Sequence, residues 1–133
     1  MKAIKLIFLC VCAMSLMACS EDDDPGYIES EIVGRSWTGE VGAREGDLYL
    51  ISSFYFGSDG FGEEIQFCPD CGRKYGSYTF QWYWEDRYSN NLVLDYGKRG
   101  VCFMDDLRLH GRHLYGIFED EVGDCFDFEL CMD

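Results

Sequence analysis

The chain is poor in positive charge. Its 133 residues carry 11 lysines and arginines against 25 aspartates and glutamates, a formal net charge of −14 at pH 7. Phosphate backbones are held by clustered cations, so this balance argues against nucleic acid as a partner, and against a bare anionic membrane surface. A neutral or cationic ligand, a basic patch on another protein, or no electrostatic partner at all stays compatible with it. Proline is scarce, at two residues, and a proline-rich stalk is thereby excluded. Histidine is limited to His110 and His113. No Gly-x-Ser-x-Gly, His-Glu-x-x-His or phosphate-cradling glycine loop occurs. The expectation is therefore a protein that is not an enzyme and carries no cofactor. Past residue 26 no segment repeats apolar residues at i, i+3, i+4 and i+7, so no amphipathic helix is expected.

At the N-terminus, Lys2 and Lys5 precede an apolar run from Leu6 to Ala18. The run is too short for a permanent bilayer-spanning helix and suits the core of a signal peptide. It ends Leu16-Met17-Ala18-Cys19, which resembles the lipobox of bacterial lipoproteins. That resemblance implies cleavage ahead of Cys19, acylation of this cysteine and lasting membrane attachment through several buried chains. Residues 1–18 read as the leader, and 19–31 as the lipidated cysteine with an acidic tether. The carboxylates of Glu21, Asp22, Asp23 and Asp24 have no apolar residue among them to pack. Serine followed by acids also resembles the signal that carries Bacteroidetes lipoproteins to the outer face of the outer membrane. A spacer on a periplasm-facing protein is the alternative.

Residues 32–133 are long enough for one domain, and aromatic residues make up 17% of the chain. Tyr78, Phe80, Trp82 and Trp84 alternate with Thr79, Gln81, Tyr83 and Glu85, the period of a half-buried strand. Phe54 and Phe56 run into Ser58-Asp59-Gly60, a hairpin signal, and Phe61, Ile65 and Phe67 follow. Leu92, Leu94 and Tyr96 close on Gly97. Val101, Phe103, Leu107 and Leu109 form the next strand, His110-Gly111-Arg112 turns it, and Phe126, Phe128 and Leu130 face inward on the last. Short connections favour antiparallel neighbours. The expected fold is all-β, an up-and-down meander of seven or eight strands closing into a small barrel, with a β-sandwich as the alternative.

Gly34-Arg35-Ser36-Trp37 near the first strand resembles the Gly-x-Trp of lipocalins and related calycins. Phe56-x-x-Asp59-Gly60-x-Gly62, Phe80-Gln81-Trp82 and Leu92-Val93-Leu94 resemble lipocalin-like lipoproteins of gut Bacteroidetes. The likeness covers most of residues 33–131 and implies a barrel with Trp37 plugging one end. The chain departs from true lipocalins in having no arginine near its C-terminus to stack on Trp37, since its last lysine or arginine is Arg112.

Five cysteines remain past Cys19: Cys68, Cys71, Cys102, Cys125 and Cys131. An exported compartment permits disulfides, and two bridges with one leftover thiol is the simplest count. Cys125 and Cys131 would stand roughly 20 Å apart on one straight strand and so do not suit each other. By parity Cys102, Cys125 and Cys131 should point away from the apolar face. Cys68-Pro69-Asp70-Cys71 offers a loop clamp, a dithiol, or, with His110 and His113, half of a zinc site. Asp105-Asp106 and Glu119-Asp120-Glu121 are solvated turns or calcium ligands. Tyr78, Phe80, Trp82 and Trp84, with Trp37, are either core or the wall of a ligand pocket. The expected function is a lipid-anchored binding module for a small apolar or glycan ligand or a partner protein. A filled barrel docking on an envelope complex is the alternative, with a thiol oxidoreductase or zinc protein behind both.

Overall fold

The computed structural model describes residues 24–133; the leader, Cys19 and the first tether residues lie outside the described part. Eight antiparallel strands close into a barrel, which decides against the sandwich. Strand β1 (Ser36–Gly39) is followed by two short strands, β2 (Arg44–Glu45) and β3 (Leu48–Tyr49), which pair only with each other. The wall continues through β4 (Ile51–Phe56), β5 (Phe61–Phe67), β6 (Lys74–Trp84), β7 (Leu92–Asp95), β8 (Val101–His110), β9 (His113–Glu119) and β10 (Cys125–Met132). Each pairs with its successor in sequence. Closure is made by β1, which lies between β4 and β10, with Trp37 opposite Phe54 on one side and Met132 on the other.

Ordered structure starts earlier than expected. Helix α1 (Pro25–Ile32) occupies most of the segment assigned to the tether. Asp24 caps it, its carboxylate accepting the backbone N–H of Gly26 and Tyr27, and Pro25 suits the first turn because its missing N–H would have no partner there. Ile28 and Ile32 stand on one face at i, i+4 spacing and are fully buried. Two isoleucines in eight residues are too few to make a periodic signal, so the helix was not visible as one. Residues 25–32 thus belong to the packed domain through Ile28 and Ile32.

The helix lies against one end of the barrel. Ile28 and Ile32 share a core with Trp37, Phe54, Phe56, Phe80 and Trp82. The Trp37 indole donates to the Ile32 carbonyl at 3.2 Å and the Trp82 indole to the Gly57 carbonyl at 3.1 Å. Both buried N–H groups are thus satisfied, as a dry interior requires. Phe56 meets Phe80 and Trp82 edge-on at 5.8 and 5.7 Å between ring centres. This is the closed end.

Two strands run in a phase the residue pattern does not announce. On β5 the inward residues are Gly62 and Glu64, both buried, while Phe61 is 52% exposed. On β8 Cys102 and Met104 point inward and Val101 outward, reversing the expected parity. Pairing with β9 slips between Asp105 and Arg108, and Asp106 takes φ 54°, so a bulge resets the phase and Leu107 and Leu109 also face in. Cys125 and Cys131 are exposed on the outer wall of β10 as expected.

Candidate functional site

The other end is open. The antiparallel meander brings to it the β5–β6 turn, the β7–β8 turn at Gly97, the acidic β9–β10 turn and the β2–β3 flap. Between them is a cavity of about 310 Å³, lined by Val41 to Glu45 of the flap, by residues of β5, β6, β8, β9 and β10, and by the β7–β8 and β9–β10 turns. The flap is held close because Gly42, at φ 89°, has no side chain; a Cβ there would stand 2.7 Å from the Phe126 ring.

At the cavity wall is a carboxylate that the barrel has taken out of water. Glu64 is only 5% exposed. Its Oε2 accepts the Ser52 hydroxyl at 2.8 Å and the Gln66 amide at 2.9 Å, and its Oε1 accepts the Tyr96 hydroxyl at 2.6 Å. Every one of these donors is neutral. Nearby, burial first and then the charges of Glu121 and Glu64 push the Cys102 thiol up to about 12, and its Sγ lies 3.7 Å from a Glu121 oxygen. Burial, followed by the Glu64 charge, likewise raises the Tyr96 phenol well above its ordinary value. Tyr96 and Cys102 are therefore neutral hydrogen-bonding groups near neutral pH.

The expected aromatic wall divides. Tyr78 lines the mouth, with the Arg99 guanidinium 3.9 Å over its ring. Phe80 and Trp82 are core, and Trp37 is the plug at the closed end. Trp84 is half-buried beside the helix, its indole donating to Glu29 at 3.1 Å. It shares a shallow exterior groove with Trp82, Tyr83, Glu29, Ser30 and Val33. The mouth is thus lined by Tyr78, Tyr96, Phe118 and Phe126 with acids and two arginines, and not by the tryptophans. Glu64, Ser52, Gln66 and Tyr96 are absent from the sequence-based candidates, and Cys102 appears there only as a disulfide partner pointing outward. Their signal is the alternation Gly62-Glu64-Gln66, which the apolar set Phe61, Ile65 and Phe67 outweighs on hydrophobicity.

The structure shows none of the five cysteines bridged. Only Cys68 and Cys71 lie together. The Cys71 N–H donates to the Cys68 Sγ at 3.2 Å, the Gly72 N–H to the Cys68 carbonyl at 2.8 Å, and Gly72 takes φ 72°. The Cys71 thiol and N–H hold Cys68 below the usual thiol range. Cys102 is inside the wall, whereas Cys125 and Cys131 are outside it. His110 and His113 face each other across the β8–β9 turn at the closed end. The barrel's length separates them from Cys68 and Cys71, and the Cys2His2 combination fails for that reason. Among the described residues no group of three or more His, Cys, Asp or Glu could hold a metal ion. In the acidic β9–β10 turn, Asp120 spends its carboxylate on the N–H groups of Val122 and Asp124. It is a self-capped turn.

The architecture, an eight-stranded antiparallel meander plugged at one end by Trp37, is compatible with the lipocalin-like class of fold. Comparison with protein-family models, with curated proteins and with solved structures finds no match to this chain.

Proposed function

We propose that this protein is a lipid-anchored cell-envelope binding module that takes a small ligand into the open mouth of its barrel. The observation that carries the reading is Glu64, a carboxylate buried and fixed by three donors at the wall of a cavity of about 310 Å³. Burying an ionisable group is costly, and folds retain such groups where something is bound or done. The cavity is at the small end of the range for ligand pockets, so the ligand is compact. The polar lining favours a hydrogen-bonding ligand over a purely apolar one. The lipobox-like Leu16-Met17-Ala18-Cys19 and the acidic stretch after it support an acylated Cys19 and display on the outer membrane surface. Helix α1, the first described element, lies at the closed end, opposite the mouth.

Native mass spectrometry on the full lipidated chain, released from detergent micelles, tests this. The expected spectrum contains a species with a retained small mass that leaves on denaturation and is depleted in Glu64→Gln. A bare chain at every step would remove the mouth as a binding site and return the alternative of a docking subunit.

A further inference from the structure

We infer that the ligand of the mouth is a small organic cation, with an ammonium or guanidinium group seated against Glu64. The inference rests on the mouth being the ligand site and narrows its chemistry.

Three donors converge on the Glu64 carboxylate and occupy both of its oxygens. None of the three carries a positive charge. The ion pairs between side chains of the described residues are Arg35–Glu31 and His113–Glu129, both elsewhere. A buried anion without a counter-charge is a costly arrangement, and a cation entering from the cavity would relieve it. Two cations share the lining, Arg44 at 4.4 Å over the Tyr49 ring and Arg99 at 3.9 Å over the Tyr78 ring, and neither makes an ion pair with Glu64. Against them stand four acids, so acids outnumber cations there by two. Glu45, Asp120 and Glu121 add negative charge to the same lining. The walls suit a cation in a second way. Tyr78, Tyr96, Phe118 and Phe126 line the cavity, and aromatic faces attract ammonium and guanidinium groups. An anion would meet Glu64, Asp120 and Glu121 on entry and the net charge of the whole chain beyond them.

The probes are 2-phenylethylamine, its neutral counterpart 2-phenylethanol and its anionic counterpart phenylacetate. Each is titrated calorimetrically into the full lipidated chain and into Glu64→Gln, and the difference between the two proteins cancels uptake by detergent. The amine should bind at least roughly tenfold more tightly than the alcohol, the strength of one charge-assisted contact, and phenylacetate should not bind. Glu64→Gln should weaken the amine by a similar factor and leave the alcohol unchanged. Circular dichroism on the variant checks the fold, and the comparison among probes on the unaltered protein stands without it. Equal binding of alcohol or acid overturns the cationic assignment but leaves the mouth as a binding site. Binding by none of the three also overturns it, and the native spectrum then decides the mouth by itself.

Discussion

The two ends of this barrel are built from the same strands and follow opposite rules. At the closed end Trp37, Phe56, Ile28 and Ile32 are all fully or almost fully buried, and the indole N–H groups of Trp37 and Trp82 find backbone carbonyls. At the open end the same inward positions carry Glu64, Tyr96 and Cys102, held in a network of charge and hydroxyl. The first arrangement gains stability from excluded water and close packing. The second gives some of that up, and a fold keeps such an arrangement where it has a use. Stability and binding should therefore separate along the barrel axis, and four substitutions or conditions can break that separation.

The largest effect belongs to the closed end. Trp37→Ala should cost about 3–5 kcal/mol, since it empties the plug and strands the Ile32 carbonyl. Urea denaturation measures it; a loss below about 1 kcal/mol would mean that the end is not the stabilising one. Gly62→Ala comes next. A Cβ at this position would meet the Tyr55 carbonyl and the edge of the Phe80 ring, the latter at 2.5 Å. Overpacking of this kind costs about 1–3 kcal/mol. The double variant with Phe80→Leu should recover part of it, and strictly additive losses would show that the ring is not the obstacle.

Alkaline pH should act on the open end. An unfolded Cys102 thiol ionises around its ordinary value of 9.0, whereas the folded one holds its proton up to about 12. Below pH 9 the folded and unfolded chains bind the same proton and nothing is lost. As the pH rises from 9 toward 12 the unfolded chain alone releases it, so stability falls. Tyr96 adds to the same slope at still higher pH. The denaturation midpoint followed across this window should fall less steeply in Cys102→Ser, and parallel curves would count against the mouth as the source. The smallest effect is Glu31→Ala. Its pairing with Arg35 at 3.4 Å is on the surface beside the plug, and its loss should change stability by less than about 0.5 kcal/mol. A larger loss in thermal melts would give the helix surface a role that only its buried face has in this account.

Much of the wall could be read from residues alone. Strand β6 shows its period of two, Asp59-Gly60 turns β4 into β5 with Gly60 at φ 85°, and Phe128 and Leu130 face inward on β10. The open end could not be read in that way. Hydrophobicity places Phe61, Ile65 and Phe67 inside on β5, but the β4–β5 pairing sets Gly62 opposite Phe56 and Glu64 opposite Phe54. Inward phase is thus inherited from Phe54 and Phe56, the stronger partners. On β8 a bulge at Asp106 lets Cys102 and Leu107 share one face although their spacing is odd. Register is a property of pairs of strands, and one strand's pattern does not contain it.

What the sequence by itself determined was the class of architecture, because alternation, turn glycines and short connections leave an antiparallel meander as the arrangement that buries one face of every strand. The Gly-x-Trp resemblance also placed Trp37 at one end of the barrel, where it is buried. Only the tertiary structure decided that Ile28 and Ile32 belong to the core, that the tryptophans stand apart from the mouth, and that Glu64 is buried within it. Each of these depends on contacts between residues far apart in the chain, where closure of the barrel, and not local preference, chooses which side chain leaves water.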